Sequence, residues 1–260
     1  MIMRNLFTLL VGLFLAVGLV ACDSNGGGEG PTAQVRFMHA SADAGAVDVL
    51  VNGEEVASGV NFSGEIANPT VSEYLEVPVD AESEIEVQDA NGNTVFSTTA
   101  GAANLQENAQ YTIIVAGALA SGDNTPQPIV LRDRFETNLG SDQVGIRLVH
   151  GSAGAESVDI YLTPPGTNLE NVDPLISEFQ FTDSFPGGFA GQFAPQAVSQ
   201  EGSELSVTPA GSKQPVLQLQ VGGSNGLPVQ PGQYITGIAI DAPQDDPPFG
   251  ALVQVDTPTQ

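Results

Sequence analysis

Val35-Arg36-Phe37-Met38-His39-Ala40-Ser41-Ala42, followed by Val47-Asp48-Val49-Leu50, recurs later in the chain as Ile146-Arg147-Leu148-Val149-His150-Gly151-Ser152-Ala153, followed by Val158-Asp159-Ile160-Tyr161. The offset is a constant 111 residues (147 − 36), without a gap. Further on, Gln110-Tyr111-Thr112 answers Gln233-Tyr234-Ile235 at an offset of 123 (234 − 111). The second copy thus carries about 12 further residues between these landmarks, expected in a loop, where insertions are tolerated. Solenoid repeats have periods of about 20–50 residues, so this longer period predicts two tandem domains.

Within each copy the pattern is strand and turn. Val47–Val51 runs into Asn52-Gly53, the dipeptide favoured in type I′ hairpins because both residues tolerate positive φ. Ile85-Glu86-Val87 and Thr94-Val95-Phe96 flank another Asn-Gly, at Asn91-Gly92. Tyr111–Val115 and Tyr234–Ile240 are β-branched and aromatic runs of strand length. Past the N-terminal segment no window sustains a 3.6-residue period with caps. With 30 glycines and 18 prolines as punctuation, the chain reads as all-β, with about seven or eight short strands per domain. Ile129-Val130-Leu131-Arg132 closes the first domain, and Asn138-Leu139-Gly140-Ser141 is a short linker. The organisation expected is 1–21 signal peptide, 22–32 lipidated cysteine and flexible tether, 33–141 the first β-sandwich, and 142–260 the second.

The opening of each copy, apolar-Arg-apolar-apolar-His-[Ala/Gly]-Ser-Ala leading into Val-Asp-[Val/Ile], resembles the bacterial family catalogued as domain of unknown function 4397. The resemblance covers about Ala33–Asn138 and Ser141–Thr257, is carried by the opening hairpins, and is thin over Thr163–Val198. It implies Ig-like antiparallel β-sandwiches in an exported or anchored protein, and it attaches no activity to them.

Arg4 precedes an apolar run from Leu6 to Val20, and Leu19-Val20-Ala21-Cys22 resembles the lipobox of bacterial lipoproteins. A membrane-spanning helix needs roughly 20 apolar residues, whereas this run is shorter and stops at polar Asp23-Ser24-Asn25. The resemblance implies cleavage before Cys22, lipidation of its thiol and acylation, palmitate included, of the new amino group. Several acyl chains hold a protein on a bilayer far better than one, at about 0.8 kcal/mol per buried CH2. Asp23–Thr32 has nothing to bury and is read as a tether. Cys22 is the one cysteine, so no intramolecular disulfide can form. The localisation expected is outside the cytoplasm, lipid-anchored to the cell membrane or outer membrane.

The chain carries 31 Asp and Glu against six Lys and Arg, a formal net charge of −25. Such a surface repels nucleic acid, whose binding needs clustered Lys and Arg. Because 41% of the residues are hydrophobic and fall in short periodic runs, the chain reads as folded with an acidic skin. Near 1 M salt the Debye length falls to about 3 Å and crowded carboxylates stop repelling one another, so the acids predict a salt-adapted, halophilic surface. The competing reading is collection of divalent cations, against which the acids are spread along both halves.

The two histidines, His39 and His150, occupy matching positions and continue an apolar stripe with Val35 and Phe37, or with Ile146 and Leu148, while the arginines point the other way. They are read as imidazoles bonded to backbone, to Ser41 or Ser152, or to Asp48 or Asp159. A repeated metal site is the sharper alternative, but one His and one Asp fall short of the three or four protein ligands of zinc sites. Ser41, His39 and Asp48 hold the letters of a triad without a nucleophile elbow. Asp89-Ala90-Asn91-Gly92-Asn93 lacks the glycine and glutamate spacing of a calcium loop, and Asp241, Asp245 and Asp246 read as a solvated acidic loop. The repeated residues Arg36, His39, Ser41, Asp48, Arg147, His150, Ser152 and Asp159 are therefore expected to be structural, with no catalytic residues, no metal and no cofactor. The function expected is a non-catalytic envelope lipoprotein presenting two binding or spacer modules to an envelope protein or polysaccharide. A calcium-assisted adhesin or polysaccharide-binding surface protein is the alternative.

Overall fold

The computed structural model describes residues 30–64, 69–119, 124–135, 139–187, 192–198, 201–242 and 249–258. Cys22 and the tether up to Glu29 lie outside the described residues.

The first half consists of β1 (Thr32–His39), β2 (Val47–Val51), β3 (Glu54–Val60), β4 (Leu75–Pro78), β5 (Glu84–Asp89), β6 (Thr94–Thr99), β7 (Gln110–Ala116) and β8 (Gln127–Arg132). They form two sheets, ordered β4-β1-β7-β8 and β3-β2-β5-β6. The second half has β9 (Gln143–His150), β10 (Val158–Thr163), β11 (Ile176–Phe179), β12 (Ser184–Phe185), β13 (Ala194–Ala197), β14 (Ser203–Pro209), β15 (Leu217–Val221), β16 (Tyr234–Asp241) and β17 (Phe249–Asp256). Its sheets are β11-β10-β14-β15 and β12-β9-β16-β17, with β13 also paired to β9. The fold is all-β, apart from a single 3-10 turn at Leu169–Asn171 among the described residues.

Hairpin chemistry acts as the sequence requires. Asn52 and Gly53 both take positive φ, 52° and 80°, and join β2 to β3. Between β5 and β6 Gly92 alone turns left-handed at 79°, and the ladder shifts register beside Val87, the signature of a longer turn closed by a bulge.

One feature departs from the antiparallel expectation. In each half the opening strand runs parallel to the penultimate one, β1 along β7 and β9 along β16. Parallel neighbours need a long crossover, and here the chain makes it by building the opposite sheet in between.

Each half packs its two sheets face to face. Val35, Phe37, Val49, Val87 and Ile113 fill the first sandwich, and Leu148, Ile160, Phe179 and Val207, with Val144, Ile146, Ile235 and Val253, fill the second. A further cluster belongs to neither. Met38, Ile114, Ile129 and Leu131 meet Val149, Ile238, Ile240 and Leu252, all buried. The outer face of β4-β1-β7-β8 thus lies on the outer face of β12-β9-β16-β17, giving four stacked layers. Each such side chain is worth about 1.5–3 kcal/mol over leaving it in water, so the halves are joined by a second core.

The connection between β10 and β11, residues 164–175, replaces the two-residue turn between β2 and β3. It lies over Tyr161, where Lys213 Nζ donates to the Val172 carbonyl at 2.6 Å and to the Tyr161 hydroxyl at 3.1 Å.

Candidate functional site

Alternation along β1 sends Phe37 into the first sandwich and Arg36 to the outer face, where the second half covers it. Its register partner on β7 is Thr112; that of Arg147 on β16 is Thr236. Arg36 Nε donates to Thr112 Oγ1 at 2.8 Å, and its two terminal nitrogens grip Asp256 at 2.6 and 2.8 Å. Arg147 Nε and Nη2 donate to Thr236 Oγ1 at 3.2 and 3.0 Å, while Nη2 reaches Asp133 Oδ1 at 2.9 Å and Nη1 the Arg132 carbonyl at 3.1 Å. Each half therefore gives its arginine to the aspartate at the end of the other half's last strand.

The correspondence extends to the rings. Arg36 lies over Tyr74 at 5.0 Å, just before β4, and Arg147 over Phe193 at 4.5 Å, just before β13. Leu75 pairs with Val35 and Ala194 with Ile146, so these aromatics hold matching places. Two sets of Arg, Thr, Asp and aromatic thus meet across the seam, much as the same patch does in an isologous dimer, with Arg36 also 3.6 Å from Asp133 of its own half.

The register corrects one sequence landmark. Thr112 and Thr236 are the matched residues, an offset of 124 (236 − 112), so Tyr234 takes the place of Gln110 rather than of Tyr111. A one-residue slip moves a side chain to the opposite face. Tyr111 points into the first sandwich, where its hydroxyl accepts from Gln106 N–H at 3.0 Å. Tyr234 faces the seam, edge-on to Phe193 at 5.0 Å and Phe135 at 5.2 Å. Gly145 makes this possible, because a Cβ there would come within 2.7 Å of Tyr234 Cδ1 and 2.9 Å of Phe193 Cβ. In the first half the same two positions hold Gln34 and Gln110, bonded to each other at 2.9 Å.

Arg147 is 1% exposed and Arg36 6%. Burial pulls both guanidinia down. For Arg147 it prevails despite Asp133, whereas the hydrogen bond and charge of Asp256, with Asp133, carry Arg36 above its ordinary value. Asp133 also accepts from Thr112 Oγ1 at 2.7 Å and Tyr74 hydroxyl at 2.8 Å, and burial, then Asp133, hold the Tyr74 phenol well above its usual range. Two cations and two anions balance, and such a buried set holds only while every member is present.

The repeated histidines fasten the loop after the opening strand. His39 Nε2 donates to the Gly45 carbonyl at 2.6 Å and Nδ1 accepts from Ser41 N–H at 3.1 Å, a neutral tautomer. His150 Nε2 donates to the Glu156 carbonyl at 3.2 Å, while its buried Nδ1 has no partner among the described residues. Burial lowers both pKa values. Ser41 Oγ donates to Asp43 at 3.3 Å, and Ser152 Oγ donates to Asp241.

The motif aspartates turn away from the histidines. Asp48 accepts from Gly59 N–H at 2.7 Å, and Asp159 from Glu178 N–H at 2.9 Å and Gly211 N–H at 2.8 Å. Gly59 and Glu178 both have positive φ, 63° and 53°, and the ladder slips beside each aspartate. The motif thus stabilises a bulge in the neighbouring strand.

Two acidic loops are already engaged. Asp89 accepts from the side chain and backbone of Asn93 and the backbone of Asn91, which draws its carboxyl down to about 2. Asp241, expected in solvent, instead accepts from Ser152 Oγ, Ala153 N–H and Gly154 N–H; Asp245 and Asp246 lie outside the described residues. Among the described residues no group of three or more His, Cys, Asp and Glu converges as metal ligands would.

The repeat pointed to Arg36 and Arg147 but not to their partners, Asp133, Asp256, Thr112, Thr236, Tyr74 and Phe193. One signal was present. Phe37-Met38, Leu148-Val149 and Ile113-Ile114 are apolar on both faces, which marks strands covered on both sides.

Residues 33–161 match the family model described as Domain of unknown function (DUF4397). The match begins in β1 and ends in β10, taking in the first half and the opening strands of the second. No curated protein matches the chain. Among solved structures, a Bacteroides fragilis protein provisionally described as a cell adhesion protein aligns over 87% of this chain and 98% of its own, at 8% identity and a TM-score of 0.21.

Proposed function

We propose that the chain is a membrane-anchored cell-envelope lipoprotein, without catalytic activity, that presents two β-sandwich modules copied from one unit of the DUF4397 type. The observation that carries the reading is the reciprocal exchange of Arg36 with Asp256 and of Arg147 with Asp133. Matched residues at matched registers favour duplication of one unit, and an exchange in both directions favours modules held as a fixed pair. A fixed pair on a flexible acylated leash is suited to presenting a surface within the tether's reach of the membrane. The leash is argued from Leu19-Val20-Ala21-Cys22 and the glycine-rich stretch after it. The acidic skin suits an envelope bathed in concentrated salt, where carboxylate repulsion is screened.

Metabolic labelling with palmitate tests the anchor. The chain should take up label and partition into detergent, and Cys22→Ser should do neither. Equal labelling of the Cys22→Ser chain would dispose of the lipoprotein reading.

A further inference from the structure

A cleft of about 400 Å3 opens between the halves, walled on one side by β8 with Thr98 and Ala102 and on the other by Thr182, Asp183 and Ser184 at the entry to β12. Among the described residues β8 is the edge of its sheet, and the ladder to β7 sets which of its main-chain groups face the cleft. Ala109, just before β7, and Val115 on it turn their carbonyls to the β1 side, accepting from Gln34 and from Ala40 just past β1. Residues 110, 112, 114 and 116 therefore face β8, as the bond from Asp133 N–H to the Gln110 carbonyl bears out. Their partners are Asp133, Leu131, Ile129 and Gln127, which leaves Pro128, Val130 and Arg132 turned outward. Arg147 already occupies the Arg132 carbonyl.

Pro128 has no N–H. The cleft is thus offered the carbonyls of Pro128 and Val130 and the N–H of Val130, with the Arg132 N–H next along the same edge. An unpaired edge is a template for another strand. Among the described residues no lysine or arginine lines the cleft, Asp183 does, and the chain carries a net charge of −25. A second copy of the chain would bring the same charge against itself.

We propose that this cleft binds an extended basic peptide segment of another protein, which adds as a short strand along β8. Its main chain pairs with Val130 and the Pro128 carbonyl, and its Lys or Arg side chains lie toward Asp183. The inference rests on the reading of the modules as binding units; if it fails, the anchored pair stands as a spacer, and palmitate labelling judges that separately.

The probe is a fluorescein-labelled eight-residue peptide alternating lysine with valine, titrated by anisotropy into the full chain, in 0.1 M and in 1 M salt. Saturable binding is expected, weaker in the higher salt and at least tenfold weaker for the peptide with glutamate in place of lysine. Ala102 is exposed on the cleft wall, so Ala102→Trp should fill the cleft, leave the circular dichroism unchanged and reduce affinity at least tenfold. Asp183→Asn should weaken binding in 0.1 M salt and little in 1 M. Hydrogen exchange at the Val130 amide should slow when peptide is bound. Equal binding by Ala102→Trp, equal binding of the lysine and glutamate peptides, unchanged exchange at Val130, or a self-association that Ala102→Trp abolishes would each overturn the proposal.

Discussion

The guanidinium of Arg36 and the carboxylate of Asp256, 220 residues apart in sequence, meet in a bidentate pair at 2.6 and 2.8 Å. Arg147 and Asp133 close the mirror contact at 2.9 Å. A planar fork against a carboxylate fixes angle as well as distance, and Arg147, with one terminal nitrogen on Asp133 and the other on the Arg132 carbonyl, adds a second pair of contacts facing the opposite way, so together they restrict both sliding and rotation of one half on the other.

Removing one member of the clamp strands its partner in a dry seam. Asp133→Ala should cost about 3–5 kcal/mol, the range for breaking a buried ion pair, read as a lower midpoint in urea unfolding. The double variant Arg147→Met with Asp133→Leu should cost clearly less than Asp133→Ala alone. A double variant no more stable than that single one would show that the charges themselves hold the seam.

Gly145→Ala should be destabilising by about 1–3 kcal/mol, the usual cost of overpacking, because the added Cβ would crowd the Tyr234 ring and Phe193. In a Tyr234→Ala background the same change should cost much less. Additive losses would mean that the aromatic wedge does not set the requirement for glycine.

Both histidine rings are held below the ordinary 6.5 by burial. Above pH 6.5 native and unfolded chains carry both rings neutral, and their contribution to stability is complete. As pH falls below that value the unfolded chain gains protons that the native chain refuses. Stability then drops by up to about 1.4 kcal/mol per pH unit for each ring, until the native rings protonate in turn. His39→Gln with His150→Gln should flatten the pH dependence just below 6.5 relative to the parent chain; identical slopes would contradict the buried neutral tautomers.

The acidic skin predicts a melting temperature that rises between 0.1 M and molar potassium chloride, since screening relieves carboxylate repulsion. A flat or falling curve would remove salt adaptation as the reason for the composition.

Much of this was legible beforehand at the level of strands. Asn52-Gly53 dictated a hairpin through its positive φ values, and the repeated Val-Asp-[Val/Ile] announced a shared local structure. Its purpose was hidden, because the N–H groups that Asp48 and Asp159 capture belong to Gly59 and Glu178 on the next strand and to Gly211 beyond β14, and a pattern within one strand does not name its neighbours. The identical Gln-Tyr pair at 110–111 and 233–234 misled by one residue, since letters were matched where only the ladder to β1 and β9 sets the register.

By itself the sequence determined the all-β class, the corresponding openings of the two halves and the burial of His39 and His150, because alternation and turn chemistry act over a few residues. Only the tertiary structure decided that the outer sheet faces of the two halves meet, that Arg36 and Arg147 find carboxylates in each other's half, and that β8 is left as an open edge. These outcomes depend on pairings between segments up to 220 residues apart, whose cost in chain entropy is recovered when apolar faces and charges are brought together out of water.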